Sequence, residues 1–92
     1  MDYKALTDKL LSAEQPHSGP FKEGMAAVLR NRVDDIPVTS PYPFGSTEDD
    51  AFFAGRMRAH NEFRNLLAEH NGDRDAAIAQ LRNLAAAARR AA

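Results

Sequence analysis

Five prolines fall in two short segments and divide this chain into three stretches that can form regular structure. Residues 15–20 contain two of them, and residues 34–46, DDIPVTSPYPFGS, contain the other three. Proline has no backbone N–H to donate, and it drives the residue before it out of helical geometry. The regular elements are therefore expected before residue 15, between residues 20 and 34, and after residue 46.

Apolar residues recur at three- and four-residue spacing in these stretches, which predicts amphipathic helices. In residues 2–14 the stripe is Tyr3, Leu6, Leu10 and Leu11, and in residues 20–33 it is Phe21, Met25, Val28 and Leu29. In residues 47–70 it is Phe52, Ala59, Phe63, Leu66 and His70, and Phe53, Met57, His60 and Leu67 widen it. In residues 73–92 it is Ile78, Leu81, Leu84, Ala85 and Ala88. The third helix has an apolar face wide enough to contact more than one neighbour. The predicted fold is all-α, a small four-helix protein.

The borders of these helices have characteristic start and stop residues. Pro20 suits the first turn of the second helix, where its missing N–H costs nothing. Either Ser46 or Thr47 caps the third helix, and Asp73 caps the fourth. Gly72 is expected to adopt a left-handed conformation between them. The short connection predicts an antiparallel hairpin of the third and fourth helices.

The proline-rich segment 34–46 is too apolar for a free linker, and we expect it to pack as a strap across the second and third helices. Gly24, inside the second helix, leaves two interpretations open: a close helix–helix contact, or an exposed glycine that the helix tolerates. The predicted buried set is Phe21, Met25, Val28, Leu29, Tyr42, Phe44, Phe52, Phe53, Phe63, Leu66, Leu67, Ile78, Leu81 and Leu84. The whole chain, residues 1–92, is predicted to be a single helical domain, with an N-terminal helix in 1–15, a core in 20–63 and an alanine-rich helix in 73–92.

The sequence offers no recognisable catalytic or metal site. With no cysteine, disulfides, thiolate nucleophiles and cysteine-based zinc sites are excluded. His60 and His70 would lie about 15 Å apart along one helix, too far to chelate one ion. Neither a nucleophile elbow nor a phosphate-binding glycine loop occurs. We therefore expect a non-enzymatic protein with no catalytic residue, no metal and no cofactor.

Two features bear on location in the cell. No run approaches about 18 consecutive apolar residues, so no transmembrane helix and no membrane partner are predicted. The N-terminal residues MDYKAL lack the basic-then-apolar pattern of a signal peptide. The default expectation is the cytoplasm.

Charge is unevenly distributed although the net charge is only −1. Residues 1–50 contain 5 basic and 9 acidic side chains, a net −4, and residues 51–92 contain 7 basic and 4 acidic side chains, a net +3. All basic residues of the second part are arginines, which suit planar phosphate and carboxylate groups. If the strap folds the second helix against the third, one basic surface for a partner would comprise Arg30, Arg32, Arg56, Arg58 and Arg64. The alternative is a solvated set of charges, some paired as Arg58 and Glu62 would be at i, i+4 spacing.

Three motifs between residues 21 and 63 occur in an order that is found in a known family. They are Gly24-Met25-Ala26-Ala27, then Ser40-Pro41-Tyr42-Pro43-Phe44-Gly45-Ser46, then Phe52-Phe53-Ala54-Gly55-Arg56. This stretch resembles the ribosome modulation factor family, including its CrpP-like relatives. In that family Phe52 and Arg56 are replaced by tryptophans and Met25 by an aromatic residue. The resemblance implies structural roles for Gly24, Pro41, Tyr42, Phe52 and Gly55.

Members of this family are small bacterial proteins that bind ribosomes in stationary phase and promote inactive dimers. The resemblance thus implies a ribosome-associated protein whose arginines contact phosphates of the ribosomal RNA. A second hypothesis is a small phage or mobile-element protein that inhibits a host protein complex by stoichiometric binding. A third is a self-assembling module, a homodimer formed through the apolar faces of the third and fourth helices.

Overall fold

Four α-helices make up the computed structural model, which describes residues 1–91. They are α1 (Tyr3–Leu10), α2 (Gly19–Asp34), α3 (Thr47–Glu69) and α4 (Arg74–Ala91). No β-strand occurs within the described residues. The all-α prediction is confirmed, as is the irregular proline-rich strap, which occupies residues 35–46 between α2 and α3.

Side-chain caps fix the starts of the last three helices. Ser18 accepts a hydrogen bond from the Phe21 N–H (3.3 Å), and Ser46 accepts one from the Asp49 N–H (3.1 Å). Ser46 is therefore the cap of α3. The Asp73 carboxylate accepts from the Ala76 N–H (3.1 Å), as predicted for α4. These side chains satisfy amide groups that have no acceptor inside the helix.

The connection between α3 and α4 reverses backbone handedness as the sequence predicts. Gly72 has φ +83°, and Asn71 before it is also left-handed at φ +54°. The Gly72 N–H donates back to the Leu67 carbonyl (2.7 Å). This bond closes the end of α3 in the manner of a glycine-terminated helix.

The first helix is shorter than the predicted 2–14. It ends at Leu10, and residues 11–14 form a turn. The Ser12 hydroxyl donates to the Lys9 carbonyl (2.7 Å), and the Ser12 N–H approaches the same oxygen (3.3 Å). Local bonds of a serine side chain compete with continuation of a helix, which explains the early end.

Two glycines bring α2 and α3 into the most extensive helix–helix contact of the structure. A Cβ atom on Gly24 would lie 2.0 Å from the Phe52 carbonyl oxygen, and one on Gly55 would lie 1.9 Å from the Phe21 carbonyl oxygen. Each glycine thus faces the backbone of the opposite helix. Of the two interpretations of Gly24, the close helix–helix contact is the one observed.

The hydrophobic core draws on all four helices. Its buried members are Leu6, Leu11, Met25, Val28, Leu29, Ala59, Phe63, Leu66, Ala77, Ile78, Leu81 and Ala85. Helix α4 contacts α3, but its larger contact is with α1. Helix α4 is therefore held more by α1 than by its pairing with α3, and α1 is an integral part of the fold.

The predicted burial is wrong for two residues of this set. Phe44 is 100% exposed at the turn before α3, and Phe53 is 56% exposed on α3. Phe44 lies between Pro43 and the left-handed Gly45 (φ +81°), so the turn directs it away from the helices. Of the strap, Val38 packs against the core and Tyr42 is partly buried.

Candidate functional site

Three of the five candidate arginines converge around His60. Arg32 from α2 and Arg64 from α3 line a shallow groove of about 320 Å³ together with Met57, His60, Phe63 and Leu67. Arg56 lies beside it, one helical turn before His60 on α3, and its charge acts on His60 together with those of Arg32 and Arg64. We call this surface the basic groove: Arg32, Arg56, Met57, His60, Arg64 and Leu67.

His60 forms the centre of the basic groove as a neutral base. The Arg32 Nη2 group donates to His60 Nδ1 at 3.0 Å, which requires an unprotonated Nδ1. Partial burial and the charges of the three arginines hold the His60 pKa below its usual value. The imidazole therefore orients Arg32 without adding a positive charge at neutral pH.

Aromatic rings hold two of the guanidinium groups. The Arg32 guanidinium lies over the Phe63 ring, 5.6 Å from its centroid, and that of Arg56 lies over Phe53 at 5.8 Å. Such contacts attract a cation to the ring face and leave its N–H edges free to donate. The Arg56 Nε is buried without a hydrogen-bond partner among the described residues.

The charges of the basic groove are not neutralised within the described part of the chain. In residues 1–91, no carboxylate oxygen lies within 4.0 Å of the guanidinium nitrogens of Arg32, Arg56 or Arg64. Three guanidinium groups on one face, with no acidic partner, create a positive potential. An anionic group approaching this groove would meet donors in a planar fork geometry.

Arg58 lies on a different side of α3 and is not part of the basic groove. Its Nε donates to Glu62 at 2.8 Å and its Nη1 to Glu14 at 2.9 Å, while Nη2 also donates to Glu14. Both carboxylates raise the pKa of Arg58 and keep it charged. The predicted i, i+4 pair with Glu62 is confirmed. The bonds of Arg58 to Glu14 hold the residue 11–18 connector against α3.

Arg30 also lies apart from the basic groove. It is exposed near α1, where its charge acts on Tyr3 together with that of Arg82. The prediction of one basic surface from all five arginines is therefore wrong for Arg30 and Arg58. Residues two apart on a helix point to roughly opposite sides, which separates Arg30 from Arg32 and Arg58 from Arg56.

The structure adds residues that the sequence pattern does not identify. Arg74, at the start of α4, donates to the Arg32 carbonyl oxygen and so lies near the basic groove. Met57 is 45% exposed and provides part of its apolar lining. The position of Arg74 depends on how α4 docks, for which the sequence has no local signal.

The residues with implied structural roles lie at the α2–α3 contact and in the strap. The Tyr42 hydroxyl donates to Glu23 at 2.7 Å, and its ring meets the buried Phe52 edge-on at 6.4 Å between centroids. The hydrogen bond to Glu23, the burial of the hydroxyl and the charges of Glu23 and Glu48 raise the Tyr42 pKa. Pro41 is exposed and fixes the backbone directly before Tyr42. Together with Gly24 and Gly55, these residues position α2 against α3.

Within residues 1–91 there is neither a metal-binding cluster nor a membrane-spanning helix, and no known protein matches the chain. Among residues 1–91, no cluster of three or more histidine or acidic side chains could hold a metal ion. None of the described helices has the length and hydropathy needed to cross a membrane. In comparisons with known proteins, no family model, curated protein or solved structure matches the chain.

Proposed function

We propose that this protein binds RNA phosphates through the basic groove and acts, without catalysis, as a ribosome-associated modulator. The observation that carries the proposal is the convergence of Arg32, Arg56 and Arg64 on one face with no carboxylate within 4.0 Å in residues 1–91. Unpaired guanidinium groups are the donors that recognise phosphate oxygens in planar geometry. The resemblance to the ribosome modulation factor family supports the ribosome as the source of that RNA.

The test is co-sedimentation with ribosomes over a range of salt concentrations. Each phosphate neutralised by an arginine contributes a slope of about −0.7 to −0.9 in log affinity against log salt, so three contacts give a slope of about −2 to −3. Replacing Arg32, Arg56 and Arg64 with alanine should abolish sedimentation with ribosomes at moderate salt. The matched control is the alanine variant of Arg82, Arg89 and Arg90, which removes the same charge from α4 and should still co-sediment. Equal binding by both triple variants would contradict the proposal.

A second candidate function is stoichiometric binding to a host protein, as an inhibitor encoded by a phage or mobile element. The observation that favours it is Phe44, a fully exposed aromatic ring in a turn held by bonds from Ser46 to Pro43 and from Gly45 to Asp49. Rigidly presented aromatic residues are the anchors of many protein interfaces. A complex that survives nuclease and is lost in Phe44→Ser would support this function over RNA binding.

A further inference from the structure

Helix α3 has two stripes of residues along its length, and all of its buried residues belong to the inner one. The inner stripe is buried against the other helices and consists of Phe52, Gly55, Ala59, Phe63 and Leu66. The outer stripe advances by steps of three and four in strict alternation and is exposed or half-buried, with His60 bonded to Arg32 and Leu67 packed against the core; it consists of Asp50, Phe53, Met57, His60, Arg64 and Leu67. Alternating steps of three and four residues are the pattern of a helix that pairs with another helix along its length.

The outer stripe is apolar in the middle and oppositely charged at its two ends. Phe53 and Met57 are 56% and 45% exposed, which is unusual for large apolar side chains one helical turn apart. Asp50 stands two turns before Met57, and Arg64 stands two turns after it, so each lies about 10 Å from Met57 along the axis. Within residues 1–91, neither Asp50 nor Arg64 has an oppositely charged group within 4.0 Å.

A surface with this symmetry is complementary to itself when one copy is inverted. A two-fold axis through Met57 would superpose each end of one stripe on the opposite end of the other. The carboxylate of Asp50 then meets a guanidinium, Met57 meets its own counterpart on the axis, and Phe53 lies opposite His60 and Asn61 of the other copy. The net charge of only −1 keeps the long-range repulsion between two copies small, and the two Asp50–Arg64 pairs must outweigh the local repulsion between the Arg56 groups that flank the axis.

We infer that two copies of this chain pair through the outer stripe of α3, antiparallel about a two-fold axis at Met57, with Asp50 of each copy facing Arg64 of the other. This pairing goes beyond the proposed RNA binding and competes with it, because Arg64 belongs to both surfaces. A dimer would occupy the basic groove that RNA phosphates need. RNA would therefore bind to the monomer and shift the dimer towards dissociation.

The test is analytical ultracentrifugation of the purified full chain, without nucleic acid, over a concentration series. Wild type should show a reversible monomer–dimer equilibrium. Asp50→Arg and Arg64→Glu should each weaken dimerisation about tenfold or more, since each replaces an attractive pair with a repulsive one. Glu48→Arg is the matched control, because it makes the same charge reversal in the same first turn but off the outer stripe, and it should dimerise as wild type does.

Mixing the two single variants gives the decisive measurement. A heterodimer of Asp50→Arg with Arg64→Glu has attractive pairs at both ends, so the mixture should associate about as well as wild type although neither variant does alone. Circular dichroism and thermal melting of each variant establish that it is folded. A strictly monomeric wild type, or a mixture that fails to associate when both variants are folded, would overturn the inference.

The same variants separate this pairing from RNA binding. Asp50→Arg should lose the dimer and retain or improve its binding to ribosomes, because it adds positive charge beside the basic groove. The double variant Asp50→Arg/Arg64→Glu should regain the dimer and bind ribosomes less well. If ribosome binding fails for wild type, the ultracentrifugation results stand unaffected.

Discussion

At the scale of single residues, the absence of a side chain matters as much as any contact. Gly24 and Gly55 each lie against a carbonyl group of the opposite helix, and this reciprocal approach sets the distance between α2 and α3. The α2–α3 contact in turn positions Arg32 beside His60 across the two helices. The basic groove therefore depends on two residues that never contact a ligand.

Gly24→Ala should lower the free energy of unfolding by about 2 kcal/mol or more, in the upper part of the range for overpacked sites. The new Cβ atom would lie 2.0 Å from a backbone oxygen, which no side-chain rotation relieves. Urea denaturation measures the change. Gly19→Ala is the control, because nothing lies within 4 Å of a Cβ at that position. Equal stability of the two variants would show that the helices do not approach so closely.

The Glu14–Arg58 pair offers a second test at the residue scale, through pH. Hydrogen bonds from Arg58 and His17 lower the pKa of Glu14 from 4.5 to about 2. Because the pKa of Glu14 is lower in the folded than in the unfolded protein, the pair stabilises the fold fully at pH values above the unfolded-state pKa. This stabilisation is lost as the pH falls through the folded-state pKa. The stability advantage of wild type over Glu14→Gln should thus be constant from neutral pH to about 5 and vanish towards pH 2.

The control for this pH dependence is a double-mutant cycle. In an Arg58→Gln background the Glu14→Gln change should have little pH-dependent effect, because the main cause of the low pKa is absent. Thermal melting at each pH measures the four proteins. The same pH dependence in both backgrounds would assign it to other carboxylates.

At the scale of elements, the sequence predicts where the helices lie in the chain better than it predicts which helices contact each other. Apolar spacing, the serine and aspartate caps and Gly72 locate α2, α3 and α4 to within a residue or two, because these signals are local. The contact of α4 with α1 joins residues far apart in the chain and has no local signal. The early end of α1 has a local cause instead, because the bonds of Ser12 to Lys9 compete with an otherwise helical pattern.

Leu6 and Phe44 make a pair of substitutions that tests which elements form the core. Leu6 on α1 is fully buried, whereas Phe44 in the strap is fully exposed. Leu6→Ala should lower the free energy of unfolding by about 2–5 kcal/mol. Phe44→Ala should change it by no more than about 0.5 kcal/mol. Chemical denaturation would reveal the reverse order if α1 were a loosely attached arm and the strap a core element.

At the scale of the whole molecule, charge and shape together define the basic groove. The sequence shows an acidic first part and an arginine-rich second part, yet Arg32 of the first part joins Arg56 and Arg64 of the second. His60 lies among them as an uncharged base at neutral pH. Proton uptake by His60 is therefore coupled to any anion that occupies the groove.

Affinity for RNA should rise as the pH falls below about 6.5, the ordinary pKa of histidine, because the His60 pKa of the free protein lies below that value. The His60 pKa is held low by burial and by three positive charges. A bound phosphate offsets those charges and favours the imidazolium, so that binding takes up a proton and is strengthened by acid. His60→Gln should show a flatter profile, measured by fluorescence titration with a short RNA at constant salt. Parallel profiles for the two proteins would place the coupled proton elsewhere.

The sequence by itself determined the fold class, most helix boundaries and the absence of cysteine chemistry. Each of these follows from local spacing, from a cap or from composition. The tertiary structure alone decided that Gly24 is a contact point, that Phe44 and Phe53 are exposed, and that three arginines converge while Arg30 and Arg58 do not. The physical reason is that a helical pattern states which residues share a face, whereas only packing decides which face is covered and by what.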